Sequence, residues 1–314
     1  MKSLTDFALN EEYRRVKRLG DRLAEIESLI DWGAFRPIVG ELYDNRSERG
    51  GRPNVDEVVM VKLLVLQQWH GLSDPELERQ VTDRISFRKF LGFPEIIPDY
   101  TTVWQFRERL AETGKDLAIW AELQRQLDSL GLKVKQGVVQ DATFITADPG
   151  HATVDTPRGN DAKTRRSRDG SWTKKGSKSY FGYKLHSKVD TELCLIRELE
   201  TTTASVHDSQ VDLSRGGEVV YRDRGYQGAE SKGYAATMKR GARDHPLGFL
   251  DQLRNRRISK KRAPAERHYA VIKRVFHATH VLVTTVSRVH VKMIFTAFGF
   301  NLYQLWTLNR LRAV

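Results

Sequence analysis

A chain of 314 residues, 39% hydrophobic and 29% charged, is long enough for two domains and too apolar to be disordered. Its formal net charge of +12 points to a polyanion as partner, because each phosphate neutralised releases condensed counterions. One cysteine, Cys194, excludes an intrachain disulfide and a cysteine-built zinc cluster. The longest apolar run, 58–66, contains Lys62 and is too short to span a bilayer.

Residues 11–32 place Leu19, Leu23, Ile26 and Ile30 at helical spacing among charges. The run from Val55 to Trp69 is nearly all apolar, as in a buried helix, and His70-Gly71 ends it. Ser73-Asp74-Pro75-Glu76 reads as a capping box with a proline in the first turn. Thr101-Thr102 opens a helix through Leu110, with Arg107 and Arg109 expected on its exposed side. A further helix runs from Lys115 to Leu130 and stops at Gly131. Short helices with tight connections suit a helix-turn-helix-like DNA reader and suit a plain bundle equally well.

After Gly131 the period changes. Gly137 to Ile145 is strand-like, with Asp141 in its middle. Phe181, Tyr183, Leu185 and Val189 alternate with polar residues and predict a second strand. Asp190-Thr191-Glu192 is a turn, and Leu193 to Leu199 a third strand. Val206 to Leu213 reads as a short helix, Val219 to Asp223 as a fourth strand halted at Gly225, and Ala229 to Lys239 as a helix. Ala263 to Phe276 is a helix with Pro264 in its first turn. Arg288 to Leu311 closes the chain, with Phe295, Phe298, Phe300, Tyr303 and Trp306 spaced for packing. Successive strands, then alternating helices and strands, give a mixed α/β sheet. The expected domains are a helical one over 1–132 and the α/β one over 133–314. No internal repeat is present, and the N-terminus has no apolar signal-peptide core, so a soluble cytoplasmic protein is expected.

Between the first two strands, 158–178 carries Lys163, Arg165, Arg166, Arg168, Lys174, Lys175 and Lys178, with Gly159, Gly170, Gly176 and a lone Trp172. It reads as a flexible cationic loop able to hold phosphates while the indole stacks on a base or wedges between steps.

The chemistry rests on carboxylates placed on rigid elements. Asp141 interrupts an apolar strand, and a buried unpaired carboxylate costs several kcal/mol, so a cation must accompany it. Asp223 ends its own strand beside a glycine that would let a substrate approach. Glu266 lies near the start of its predicted helix, with Lys273 seven residues on along the same face and Arg262 four residues before. Three converging carboxylates repel one another unless they surround divalent cations, and all-oxygen ligation favours Mg²⁺ or Mn²⁺. Two such ions suit in-line phosphoryl transfer. No Walker A loop is present, since Gly176-Ser177-Lys178 lacks the required order, so no nucleotide cofactor is expected. Ser205 and His207-Asp208 read as a helix N-cap rather than a triad, and His277 and His280 as structural.

The segment Arg262-Ala-Pro-Ala-Glu266-Arg-His-Tyr-Ala-Val-Ile-Lys273 resembles the Arg-x3-Glu-x6-Lys motif of DDE transposases from bacterial insertion sequences. Val139-Gln140-Asp141-Ala142-Thr143 looks like their first-Asp strand, and Tyr221-Arg222-Asp223-Arg224-Gly225-Tyr226-Gln227-Gly228 is similar to their second-Asp motif. Phe181-Gly182-Tyr183-Lys184-Leu185-His186 resembles the strand between them. Gly51-Arg52-Pro53, Gly71-Leu72-Ser73-Asp74 and Phe90-Leu91-Gly92 resemble the N-terminal domain of insertion-sequence family five.

The resemblance spans roughly 50 to 305 and implies an RNase H-like catalytic domain in which Asp141, Asp223 and Glu266 hold two Mg²⁺ or Mn²⁺ ions. Together with the cationic loop, the reading expects DNA contacts from Arg262, Lys273, Lys184, Arg224, Trp172, Lys174, Lys175, Arg165 and Arg166. The partners would be the element's terminal inverted repeats and target DNA, bound by a homodimer or higher assembly, and no membrane. The family motif carries a Tyr three residues before the Arg; Ser259 stands there in this chain. The 43 residues from Asp223 to Glu266 leave no room for a large β-rich insertion. A nuclease of the same fold that cuts without joining, or an idle DNA-binding regulator descended from a transposase, are the alternatives.

Overall fold

A computed structural model describes residues 4–43, 54–150 and 167–312. The chain forms two compact units: Met1–Leu130 together with Ile294–Val314, and Gly131–Met293.

The first unit is helical. The predicted helix over 11–32 is in fact two, α1 (Leu4–Leu19) and α2 (Arg22–Glu27). Gly20 takes φ +92°, and Asp21 caps α2 by accepting from the Leu23 amide at 3.0 Å. The break leaves Leu19 exposed while Leu23, Ile26 and Ile30 are buried. After the short α3 (Arg36–Gly40) comes α4 (Glu57–His70), buried from Val59 to Trp69 and ended by Gly71 in the left-handed conformation. Its Lys62 is buried because Glu27 and the Phe90 carbonyl accept from its ammonium at 2.5 and 2.8 Å. Ser73 caps α5 (Asp74–Asp83) as expected, but the Glu76 carboxylate turns to Arg79 and Gln80, so only half of the predicted capping box forms.

Next come α6 (Ile85–Phe90), α7 (Tyr100–Thr113) and α8 (Lys115–Ser129). Arg107 of α7 is not exposed as predicted. It is buried, and its guanidinium donates to both Asp74 oxygens at 2.7 and 2.8 Å, a bidentate pair that ties α7 to α5. Phe298, near the C-terminus, stacks on Trp32 at 5.8 Å in the same core.

The second unit is a mixed sheet with strand order β2-β3-β1-β5-β6. The strands are β1 (Val138–Ala147), β2 (Ser171–Lys175), β3 (Lys178–Asp190), β4 (Ile196–Thr203), β5 (Val219–Arg222), β6 (Tyr234–Thr237) and β7 (His280–Val281). The long β3 pairs antiparallel with β1 on one edge, while β2 and β4 take successive halves of its other edge. On its second edge β1 pairs in parallel with β5 and, further along, with β7.

Three predicted elements change. Residues 206–213 hold only one helical turn, Asp208–Gln210, capped by His207 as expected. The helix predicted over 229–239 is strand β6, parallel to β5, because unpaired backbone groups of β5 recruit it into the sheet. The described part of the predicted cationic loop contains β2, hairpinned onto β3.

Two helices complete the order, α9 (Phe249–Arg274) and α10 (Val286–Arg312), the second half of α10 belonging to the helical unit. α9 starts fourteen residues before the predicted Ala263, so Pro264 lies inside it rather than in its first turn. Proline deprives one carbonyl of its donor there, and this costs little because Pro264 and Lys260 both face solvent. The early turns are anchored by Asn255, whose amide both accepts from the Lys239 N–H and donates to its carbonyl, each at 2.9 Å. Between Asp223 and Glu266 the described elements are a single helical turn, β6, one isolated bridge and the first part of α9; no β-rich insertion is present among them. Among the described residues no helix is long and apolar enough to cross a membrane.

Candidate active site

Asp141 lies in the middle of β1, opposite Ser187 of β3. On its other side the parallel register pairs Val139 with Tyr221, and Gln140 accepts from the fully buried Arg222 at 2.7 and 3.2 Å. Extended two residues past the last paired residues, Val139 and Tyr221, the same register would bring Asp223 level with Asp141 on one face of the sheet. Asp223 follows the last residue of β5. Its carboxylate accepts from the Gly225 amide at 2.8 Å, and a Cβ at 225 would stand 3.0 Å from that oxygen. The glycine therefore holds the carboxylate, where the sequence suggested room for substrate.

Glu266 comes from α9. Because that helix begins so early, Arg262 shares its face. One Arg262 Nη lies 3.2 Å from Glu266 Oε1 and 3.6 Å from Asp141 Oδ2, so both carboxylates flank a single guanidinium nitrogen. Burial pushes the Asp141 carboxyl up from its ordinary 3.8 to about 6, against the pull of Arg262 and of the Ala142 amide; Asp223 and Glu266 add repulsion. Asp141 and Glu266 thus meet at one guanidinium.

They do not form a cage. Among the described residues no three His, Cys, Asp or Glu side chains are gathered closely enough to hold a metal ion. Arg262 stands between two of the acids. The donor set nevertheless suits a hard divalent cation: every candidate ligand is a carboxylate, and Asp141 is a buried anion that its arginine compensates incompletely.

A groove of about 540 Å³ is lined by Ala142, Thr143 and Phe144, the residues that follow Asp141 on β1. Lys174 and Lys175 of β2 and Lys273 of α9 reach into it, together with Phe144 and Tyr180, whose rings stack at 5.3 Å. Lys273 is half-buried; burial lowers the pKa of its ammonium, Lys175 lowers it further and Asp141 opposes. Three lysines gathered on one groove give it the positive potential that suits a phosphate-binding wall.

The remaining predicted contacts divide. Trp172 is on β2, 43% exposed and tilted against Phe181 at 5.3 Å. Arg224 is exposed next to Asp223. Lys184, expected to contact DNA, is already paired within the fold. It is buried, its ammonium pairs with Asp208 at 2.8 Å and donates to the Val206 carbonyl at 2.6 Å, so its charge is already answered within the fold. Arg165 and Arg166 lie outside the described residues, as does Gly51-Arg52-Pro53. Sequence reasoning passed over His268 and Tyr269. Their signal was available: a ring at 269 repeats the inward spacing of Ile258, Arg262 and Ala265, which singles it out from the charged remainder of α9.

Comparison with known families gives two matches. Residues 10–109 match the family described as Transposase domain (DUF772), and residues 133–302 match Transposase DDE domain. The DDE domain is RNase H-like, in keeping with the mixed sheet and flanking helices of the second unit. No solved structure matches the chain.

Proposed function

The chain belongs to the DDE transposases, a family that acts on DNA and generally uses divalent metals such as Mg²⁺, and on that premise we propose that it cuts and joins the ends of a bacterial insertion sequence of the family-five group. It binds the terminal inverted repeats of its element, hydrolyses one phosphodiester at each end, and directs each freed 3′-hydroxyl onto a phosphorus of target DNA. In both steps an oxygen nucleophile forms the new P–O bond and the old bridging oxygen leaves with the electron pair, so no covalent enzyme intermediate is needed. The observation that supports this reading is that Arg262 lies 3.6 Å from Asp141 and 3.2 Å from Glu266, on a sheet where β1 runs parallel to the strand that precedes Asp223.

Asp141, Asp223 and Glu266 would hold two divalent ions, which when bound supply a deprotonated nucleophile and neutralise the leaving oxygen. The rest of the chemistry belongs to the chain. Lys174, Lys175 and Lys273 hold phosphates along the groove, Arg262 passes from the carboxylates to a phosphate when they are otherwise neutralised, and Arg224 meets the backbone beyond Asp223. Trp172 and the Phe144–Tyr180 pair offer ring faces to bases unstacked near the cut. The helical unit reads the end sequence. A dimer or larger assembly brings two ends together in the cytoplasm, on the nucleoid.

The test uses full-length protein, Mg²⁺ and duplex DNA carrying the element's end. Asp141→Ala should abolish cutting and the joining of pre-cleaved ends while leaving end binding within about twofold. Normal cutting by that variant would reject the site, and cutting without joining by the wild type would make the protein a nuclease.

A further inference from the structure

The interface between α9 and the sheet contains a polar cluster that the proposed chemistry does not use. Ser187, His268 and Tyr269 are all buried, at 1%, 2% and 9% exposure. Ser187 Oγ lies 2.7 Å from His268 Nε2 and 2.8 Å from the Tyr269 hydroxyl, and its single proton serves one or the other. The Tyr269 hydroxyl donates to the backbone carbonyl of Asp141 at 2.7 Å and approaches that of Leu185 at 3.3 Å. His268 Nδ1 bonds the Ala265 carbonyl. A carbonyl only accepts, so Nδ1 carries the proton and Nε2 of a neutral ring is the acceptor.

A Ser–His pair at this distance resembles the start of a nucleophilic site. Here it is enclosed between a strand and a helix, where no substrate can reach it, so it does structural work. What it joins is specific. Ser187 faces Asp141 across the β1–β3 ladder, Tyr269 bonds Asp141's own carbonyl, and His268 bonds the residue before Glu266.

We propose that Tyr269, with Ser187 and His268 behind it, is a positioning device that sets the Glu266 turn of α9 against Asp141. This rests on the reading of Asp141 and Glu266 as one active site. Of the other buried residues of α9, Asn255 clasps Lys239 eleven residues before Glu266, and Arg262 reaches Asp141 only at 3.6 Å. Ile258, Ala265 and Ile272 are apolar and non-directional, and by themselves would tolerate a small slide or rotation of the helix on the sheet. The polar cluster would not. A slide breaks the Tyr269 hydroxyl's bond to the Asp141 carbonyl and leaves a buried hydroxyl and carbonyl without partners, each costly to strand. The device therefore converts a soft apolar contact into one with a single register, and that register fixes the spacing of two catalytic carboxylates on different elements.

The experiment compares Tyr269→Phe, Ser187→Ala and the double variant with Ile272→Val, a packing control on the same helix that leaves the cluster intact. Single-turnover cleavage of end duplex in Mg²⁺, end-duplex Kd by anisotropy, and Tm are measured for each. Tyr269→Phe should lower kcat by about 10–100-fold, the range seen when groups supporting a first shell are removed, with Kd and KM within about twofold. Ser187→Ala should lower kcat in the same sense, and the double variant should lose much less than the product of the single losses, since the groups act as one unit. Ile272→Val should lower Tm while leaving kcat near wild type. Should Tyr269→Phe fail to fold, Ser187→Ala decides. Wild-type kcat in Tyr269→Phe, or an equal kcat loss in Ile272→Val, would overturn the device while leaving the active site standing. A wild-type protein that binds ends but cuts nothing would overturn both.

Discussion

Replacing Asp141 by asparagine should make the metal-free protein more stable while making it inactive. The structure gives the magnitude. Burial raises this carboxyl from 3.8 to about 6 even with Arg262 beside it, and its side chain is 22% exposed, so little solvent screening applies. A change of that size corresponds to roughly 3 kcal/mol of destabilisation once the group is ionised. The folded-state value lies above the unfolded one, so folding favours the protonated form. The cost is absent below about pH 4, accumulates between pH 4 and 6, and is complete at pH 7. Asp141→Asn keeps the shape and removes the charge, and should therefore stabilise the second unit by up to about 3 kcal/mol at pH 7 in EDTA and by almost nothing at pH 4.

Hydrogen exchange of the β1 and β3 amides, followed through urea titration, reports that unit without interference from the helical one. Added Mg²⁺ should close the gap from the other side, since a ligand at about 100 times its Kd stabilises by about 2.7 kcal/mol, and only the wild type has the full carboxylate set. The reasoning is refuted if the variant is no more stable than wild type at pH 7 in EDTA, or if its advantage persists undiminished at pH 4.

Three further outcomes are expected. Acid should weaken both units: burial lowers His70 and His186 from 6.5 to about 4, so their neutral forms are favoured by folding, and stability present above pH 6.5 is lost as pH falls towards 4, by up to roughly 3 kcal/mol each; urea midpoints across that window measure it. Gly182→Ala should destabilise the second unit by several kcal/mol or prevent its folding, because Gly182 holds φ +144° and an added Cβ would collide with the Ile145 carbonyl and lie 2.9 Å from the Ala147 amide; circular dichroism and exchange of β1 would read the loss. Neutralising Lys174, Lys175 and Lys273 with glutamine should weaken end binding at low salt and flatten the slope of log K against log salt by about 0.9 for each phosphate that is no longer neutralised; an unchanged slope would remove the groove as a phosphate wall.

What the sequence determined by itself is local and one-dimensional. Caps and glycines marked where helices begin and end: Gly71 ends α4, Ser73 caps α5, and Gly131 follows α8. A strand-like apolar run marked β1 and alternation marked β3, and Asp141 stood out as a charge inside an apolar strand. Tertiary structure decided the rest, because the deciding partners are distant in sequence. Tyr234 to Thr237 is a strand only because β5 offers it hydrogen bonds, and the first fourteen residues of α9 carry so many cations that no apolar stripe announces them; Asn255, clasped to Lys239, anchors them. Arg107 and Lys184 look like surface cations until Asp74 and Asp208 close on them. The bond from Tyr269 to Asp141 crosses 128 residues of chain, and no local pattern encodes it. Periodicity reports which face of an element is apolar; which polar groups meet across an interface is fixed only when that interface closes and each buried donor must find an acceptor.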